Sequence, residues 1–208
     1  TLDQIYSNDI LNVSHNHRAG VTLSYQLKKF RAQLGAAVNP TQTYNRTNGE
    51  EYKSSVINWS PQAMLFYSPN DNTDVRVFYF GRSAQPSTSQ LMPVPDNSNP
   101  LNISLGNPYL QPYFNHNIRG RFGYTNKKTF TSVHARFGAS LVENPITNAR
   151  WNDKGVQYSI PVNGPNSGSA DLRVMVNSPF GSSGFSIFSM TYGRYNQSTS
   201  YQGNGTLD

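Results

Sequence analysis

Two short stretches of the sequence carry side chains with the chemistry of metal ligands. His15-Asn16-His17 would place two imidazoles on one face of an extended strand, and imidazole is a common ligand of transition metals. Asp71-Asn72-Thr73-Asp74 offers the oxygen ligands that calcium prefers, but it is also typical of a hairpin turn. Because no Asp, Glu or Cys lies beside the two histidines, we predict neither a metal site nor a cofactor.

Catalytic constellations are equally sparse in this chain of 208 residues. It contains no cysteine, which excludes thiolate chemistry and a disulfide framework. Glu50-Glu51 lie together and Glu143 stands alone, so nothing indicates the paired carboxylates of a glycosidase. Neither a nucleophile elbow nor a phosphate-binding glycine loop is present. We therefore expect no catalytic residues and a protein that is not an enzyme.

Basic side chains are the most informative polar groups. The formal net charge is +6, from 17 Lys and Arg against 11 Asp and Glu. Apart from Lys28-Lys29 and Lys127-Lys128, which fall at predicted turns, the basic residues are scattered, so we predict no nucleic-acid partner. Others recur on the polar face of predicted strands. These are Arg76, Arg82, Arg119, Arg121, His134 and Arg136.

The elements that carry these residues are predicted from an unusual composition. Charged residues make up 13% of the chain, about half of the ~25% of an average soluble domain, yet the mean hydropathy is −0.60. Asn, Ser, Thr, Gln and Gly replace the missing charge. No apolar run approaches the ~20 residues of a membrane helix.

Alternation of apolar and polar residues predicts an all-β chain, an antiparallel up-and-down meander of about eight or nine strands. Tight turns are expected near residues 28, 70, 126 and 181. Longer connections are expected near 48, 86–112, 145–153 and 164–168. Weaker strands are predicted at Val156–Val162, Leu172–Asn177 and Phe185–Tyr195.

Short turns at one end and long connections at the other are typical of an outer-membrane barrel. The polar faces are rich in Thr, Ser, Gln, Asn and Gly, whereas the Lys pairs lie at turns. Tyr25, Trp59, Tyr67 and Tyr124 suit the aromatic girdles at a membrane surface. The alternatives are a soluble β-sandwich that binds carbohydrate through exposed aromatic rings, and an adhesin-like structural protein.

One long segment carries a more specific signal. Arg82-Ser83-Ala84-Gln85-Pro86-Ser87, Asn99-Pro100-Leu101 and Gly106-Asn107-Pro108-Tyr109-Leu110-Gln111-Pro112 precede a new predicted strand. This segment resembles the barrel of TonB-dependent receptors, and most of all the outer-membrane β-barrel family abundant in Bacteroidetes. Gln85 stands where that family commonly has Arg, and Tyr113 where Glu usually follows. The residues that match the family's loop motif are Pro86, Gly106, Asn107, Pro108, Leu110 and Pro112.

The resemblance implies a nutrient receptor of the bacterial outer membrane, with an N-terminal plug and a barrel of about 22 strands. Residues 1–208 would then be a single barrel segment without the plug. The implied partners are outer-membrane lipid, the remainder of the receptor, an energy-coupling protein that acts through the plug, and a small nutrient. Arg76, Arg82, Arg119, Arg121, His134 and Arg136 would face the lumen. There they would pair with loop or plug carboxylates or an anionic solute, or simply solvate the lumen.

Overall fold

The computed structural model describes residues 10–47, 50–91 and 96–203, and most of these residues lie in strands. The elements in chain order are β1 Ile10–Asn16, β2 Ala19–Gln26, β3 Phe30–Thr47, β4 Glu50–Asn70, β5 Thr73–Ala84, α1 Thr88–Leu91, β6 Asp96–Asn99, β7 Asn102–Ser104, β8 Tyr113–Thr125, β9 Ser132–Glu143, β10 Ile146–Asp153, β11 Val156–Asn163, β12 Ser167–Pro179, β13 Ser186–Gln197 and β14 Tyr201–Gly203. The all-β prediction is confirmed.

Nine of these strands form one antiparallel meander, the main sheet, in the order β1/β2-β3-β4-β5-β8-β9-β12-β13. β1 and β2 pair with the two halves of β3 in a single register, from Ile10 opposite Thr47 to Gln26 opposite Arg31. The gap between them lies opposite Pro40, which has no N–H to donate to the ladder. Its carbonyl still accepts the N–H of His17 at 3.0 Å, so β1 and β2 act as one interrupted strand.

Tight turns join the long strands at one end of the main sheet, where the sequence predicts them. Leu27 and Phe30 exchange backbone hydrogen bonds around Lys28-Lys29. The side chains of Asn70 and Asn126 each accept a backbone N–H two residues further on, which is an Asx turn. Local sequence chemistry therefore fixes this end of the sheet.

The opposite end differs from prediction in three places. A long connection near residue 48 is wrong, because β3 and β4 continue as paired strands to Thr47 and Glu50, leaving only 48–49 outside the described residues. Residues 145–153 are not a loop either, since they contain β10. The connection at 164–168 is only three residues long, between β11 and β12. The outer parts of β3 and β4 are polar on both faces apart from Tyr44 and Tyr52, and β10 alternates only over 149–151, so these stretches lack the longer alternation by which a half-buried strand is recognised.

The long connections fold into a second structure, the loop sheet, in the order β14-β10-β11-β7-β6. β7 comes from the connection after β5, and it pairs in parallel with β11 from the connection after β9. The segment predicted as irregular at 86–112 therefore contains α1, β6 and β7 in its described part.

The main sheet is a single layer with an apolar face that none of the described residues covers. Val21, Leu23, Leu34 and Ile57 are 63–72% exposed. Trp59 and Tyr67 lie eight residues apart on this face of β4, which is about 26 Å at ~3.3 Å per residue. That separation matches the apolar band of ~25 Å in an outer-membrane barrel. None of the helices in the described residues is long and apolar enough to span a membrane.

Candidate functional site

The polar face of the main sheet carries a line of arginines that runs across six strands. Strand register aligns the side chains as direct cross-strand partners in one row. The sequence of partners is Arg31, Phe66, Arg76, Arg121, Arg136, Arg173 and Tyr192. We call its five cationic members, Arg31, Arg76, Arg121, Arg136 and Arg173, the arginine row. Like charges directly opposite one another destabilise a sheet, so this row needs compensating partners.

Aromatic rings supply part of that compensation. The guanidinium groups of Arg31 and Arg76 each lie 5.9 Å from the centre of the Phe66 ring, which separates them. At the other end of the row, Arg173 lies 5.4 Å from the centre of the Tyr192 ring. Such contacts are worth about 0.5–1 kcal/mol each at exposed sites. They also explain why Phe66 interrupts the polar face of β4.

Asp74 is the carboxylate closest to the middle of the row. Its Oδ2 lies 3.4 Å from Nε of Arg76 and 3.8 Å from Nε of Arg121. This oxygen is shielded from solvent and accepts no hydrogen bond from the described residues. Gly123 leaves room for the carboxylate, since a Cβ there would lie 2.5 Å from Oδ1. One carboxylate thus serves two arginines through charge rather than through hydrogen bonds.

The six residues predicted to face a lumen all lie on this polar face. Arg76, Arg121 and Arg136 belong to the row, and His134 lies opposite Gly123, one position nearer the turns on that face. Arg119 packs 5.6 Å from the centre of the Phe80 ring. Arg82 lies further toward the loop end. The location of this face in a lumen remains a prediction.

Two hollows open on the polar face. Arg119, Arg121 and Arg136 line one of ≈ 410 Å³ together with Phe78 and Phe80. Arg82 lines a larger one of ≈ 830 Å³ at the loop end. Its other polar walls are mainly amide and hydroxyl side chains, and Arg18 and His17 are the exceptions. The polar residues around Arg82 include Arg18, His17, Asn39, Asn58, Ser60, Gln62 and Gln85.

Sequence reasoning missed three arginines of the same face, namely Arg31, Arg173 and Arg194. Arg31 lies between Phe30 and Ala32 in a strand that the sequence predicts, so the alternation of side chains along the strand is enough to place it on the polar face. Arg173 and Arg194 lie in the weaker strands, where the apolar pattern is less regular. Arg194 lies opposite Asp171, the second carboxylate of this face.

The family-motif loop holds the two long connections together. Nδ2 of Asn107 donates to the carbonyl of Pro161 at 2.9 Å, and its Oδ1 accepts the N–H of Tyr109. Asn163 bonds to the backbone of Gln111, and Nδ2 of Asn144 donates to the carbonyl of Pro112 at 3.0 Å. We call Asn107, Asn144 and Asn163 the asparagine clamp. Asn144 and Asn163 carry no sequence signal, because their partners lie 32 and 52 positions away.

The other motif residues take structural positions around this clamp. The side chain of Leu110 is buried, with 8% of its surface exposed. Pro86 precedes α1, and Gly106 and Pro108 flank Asn107. Gln85, which departs from the family pattern, donates from Nε2 to Oδ1 of Asn58 at 3.1 Å. A neutral hydrogen bond therefore stands at a position where the family commonly has an arginine.

A small polar cluster interrupts the apolar face near the loop end. The hydroxyl of Tyr79 lies 2.9 Å from Nδ1 of His116, and Nε2 of His116 lies 3.4 Å from Oε1 of Glu143. Trp59 and Phe114 pack beside it with ring centres 4.8 Å apart. Polar tips beside aromatic rings are typical of the level where a membrane meets water.

The described residues contain no group of three or more His, Asp or Glu side chains that could hold a metal. His15 pairs with Gln42 in the ladder, and His17 lies at the break between β1 and β2. Asp71 and Asn72 form the predicted hairpin turn between β4 and β5. The metal-like stretches of the sequence are thus parts of the sheet and its turns.

A single antiparallel layer with one uncovered apolar face, one charged face and membrane-length strands is the wall of a transmembrane β-barrel. The comparison with protein families agrees with this class. The chain belongs to the outer membrane protein beta-barrel family, which matches residues 1–208. This confirms the resemblance found in the sequence and places the chain in the outer membrane. No curated protein matches the sequence.

Three solved structures of similar fold carry the names of transporters. The copper transporter OprC shares 11% identity over 82% of this chain, with a TM-score of 0.59. The FrpB iron transporter from Neisseria meningitidis shares 11% identity over 89% of this chain, with a TM-score of 0.53, in its F5-1 apoprotein form and its F3-3 variant alike. The chain spans 27% of OprC and 26% of FrpB. At this identity the likeness concerns the fold alone, and it gives no support to a soluble sandwich.

Proposed function

We propose that this chain forms part of the barrel wall of a TonB-dependent receptor that takes up a nutrient across the outer membrane, without catalysis. The observation that carries the proposal is the division of the main sheet into an apolar face and an arginine-rich face. From β5 to β13 the polar face holds seven arginines, whereas the apolar face holds one carboxylate, Glu143. Hydrocarbon suits the first face, and a water-filled lumen suits the second.

The remainder of the receptor would supply the other parts. Within the described residues the edges at β1/β2 and β13 have no partner strand, and strands from the remainder of the barrel would pair with them, because an unpaired edge is not tolerated in lipid. The plug would occupy the lumen and transmit energy from the coupling protein. The loop sheet would lie on the outer surface, since the long connections of such barrels are extracellular.

The test uses the full-length receptor in its own cells. We would delete the region that encodes residues 1–208 and measure uptake of a panel of labelled nutrients, with and without a protonophore. Loss of one energy-dependent uptake activity, restored by the intact gene, supports the proposal. A deletion strain with unchanged uptake of every labelled nutrient would reject it. Fractionation of the tagged receptor into the outer membrane serves as the control for correct assembly.

A further inference from the structure

We propose that the arginine-rich face is an anion-binding path and that the transported solute is a small polyanion carrying at least two carboxylate or phosphate groups. This inference rests on the proposed function, because it assigns a substrate class to the same lumen. Arginine presents a rigid fork of donors that matches carboxylate and phosphate geometry.

Charge on this face is strongly unbalanced. From β5 to β13 it carries seven arginines and two carboxylates, Asp74 and Asp171. The arginines are Arg76, Arg82, Arg119, Arg121, Arg136, Arg173 and Arg194. Asp74 approaches Arg76 and Arg121, whereas Arg82 and Arg136 have no acidic partner within the described residues. The excess of five positive charges would attract anions and repel bare metal cations.

The arrangement of the row strengthens this conclusion. Arg121 lies directly opposite Arg136, and Arg136 lies directly opposite Arg173. A confined lumen screens such repulsion less than bulk water does, so the three charges raise one another's need for a counter-ion. A solute with two or more anionic groups can contact neighbouring members of the row at once.

The hollows on this face are of a size that a small solute can fill. Arg119, Arg121 and Arg136 line an open hollow of ≈ 410 Å³ together with Phe78 and Phe80, and Arg82 lines the open hollow of ≈ 830 Å³ at the loop end. Both fall within the ~300–1,000 Å³ of small-molecule sites.

The arginines also mark a route along the strands. Arg82 and Arg76 lie six residues apart on β5, which is about 20 Å at ~3.3 Å per residue. Arg119 lies between these two levels, because it pairs with Phe78. An anion that enters at the loop end would thus meet Arg82, then Arg119, then the arginine row. A metal could follow this route within an anionic complex.

The test measures binding of citrate and tripolyphosphate to the purified full-length receptor by titration calorimetry at low ionic strength. Arg121→Gln and Arg136→Gln should each weaken binding by about 10-fold or more, because each removes a charge-assisted contact. The anion affinity of Arg136→Lys should lie between those of the two Gln variants and the wild type. Lys128→Gln, at a turn, is the matched loss of one positive charge and should change affinity by less than roughly twofold. A parallel titration with the iron(III) complex of citrate separates a free polyanion from a metal-loaded one.

The inference is supported if the wild type binds the free or the iron-loaded anion more tightly than a neutral sugar, and if the two Gln variants lose this binding. The inference falls if the wild type binds neither anion. It also falls if the Gln variants lower thermal stability while anion affinity is unchanged, since the row would then pair with protein carboxylates. Energy-dependent uptake of a neutral solute, unaffected by Arg136→Gln, would reject the inference and keep the proposed function. Arginine-dependent anion binding without any uptake would support an anion-binding face but reject transport, and with it both the proposed function and the transported polyanion.

Discussion

The side chain of Asn163 forms two hydrogen bonds with the backbone of Gln111, which lies 52 positions earlier in the chain. Its Oδ1 accepts the N–H of Gln111 at 2.8 Å, and its Nδ2 donates to the carbonyl of the same residue at 3.0 Å. Nδ2 also donates to the carbonyl of Asn144 at 3.1 Å. One amide group thus replaces a short stretch of ladder between two connections that are not neighbours in sequence. It ties the motif loop to the loop sheet.

Replacement of Asn163 should loosen this join. Asn163→Ala leaves backbone groups of Gln111 and Asn144 without their partners, at a cost of about 1–3 kcal/mol where water cannot replace them. We expect faster limited proteolysis within residues 86–112 and 144–166, with the main sheet intact. Asn102→Ala, on an exposed side chain of β7, is the matched control and should leave the cleavage rate unchanged. Equal cleavage of both variants would contradict a clamping role for Asn163.

The two faces of the main sheet should respond in opposite ways to an added charge. Ile118 lies on the apolar face, level with Ala63, which is midway between Trp59 and Tyr67 on β4. Ile118→Arg places a charge at the centre of the lipid band, where the cost is about 2–4 kcal/mol. Asn117→Arg makes the corresponding change one residue away, on the polar face.

Assembly of these two variants is measured as the fraction of heat-modifiable, protease-resistant receptor in the outer membrane. We expect it to fall for Ile118→Arg and to stay near the wild-type level for Asn117→Arg. The reverse order would mean that the apolar face is covered by protein and that the arginine-rich face does not line a lumen.

Glycine at position 120 accommodates an aromatic ring from the neighbouring strand. Phe137 is the direct partner of Gly120, and a Cβ at Gly120 would overlap with the Phe137 ring. Gly120→Ala should therefore displace the ring and lower stability by about 1–3 kcal/mol. Gly193→Ala is the control, because no atom of the described residues other than its own chain neighbours lies within 4 Å of a Cβ there. Thermal unfolding in detergent measures both, and equal midpoints would contradict the packing of Phe137 on Gly120.

The stability of the β3–β4 hairpin, in the part that extends beyond the membrane band, should depend on pH. The hydroxyl of Tyr44 donates to Oε1 of Glu51 at 2.5 Å, and this hydrogen bond raises the pKa of Tyr44 above its ordinary value of 10.0. Because folding raises the pKa of Tyr44, the contribution of this hydrogen bond to stability is complete below pH ~10. It is lost as the pH rises through the pKa of the folded state.

The difference between the ultraviolet titration curves of the wild type and of Tyr44→Phe should isolate one tyrosine, which ionises at a higher pH than a free tyrosine. Glu51→Gln removes the charge and should return the midpoint toward the ordinary value. A difference curve centred at or below pH 10.0 would contradict the bond between Tyr44 and Glu51.

Much of the site was predictable from local pattern. Alternation placed Arg76, Arg119, Arg121 and Arg136 on one face of their strands, because the side chains of a strand alternate with a period of two. The same rule would have placed Arg31 there as well. The turns at Lys28-Lys29 and Asp71-Asn72 followed from residue types that favour tight turns.

The sequence by itself therefore determined most strands of the main sheet, their two faces and the membrane they suit. Only the tertiary structure decided which arginine lies opposite which, and that asparagines 32 to 54 positions away join the long connections. The physical reason is the range of each interaction. The face on which a side chain lies depends on whether its position within its own strand is odd or even. The arginine row and the asparagine clamp depend instead on register and hydrogen bonds between distant segments, which no local pattern encodes.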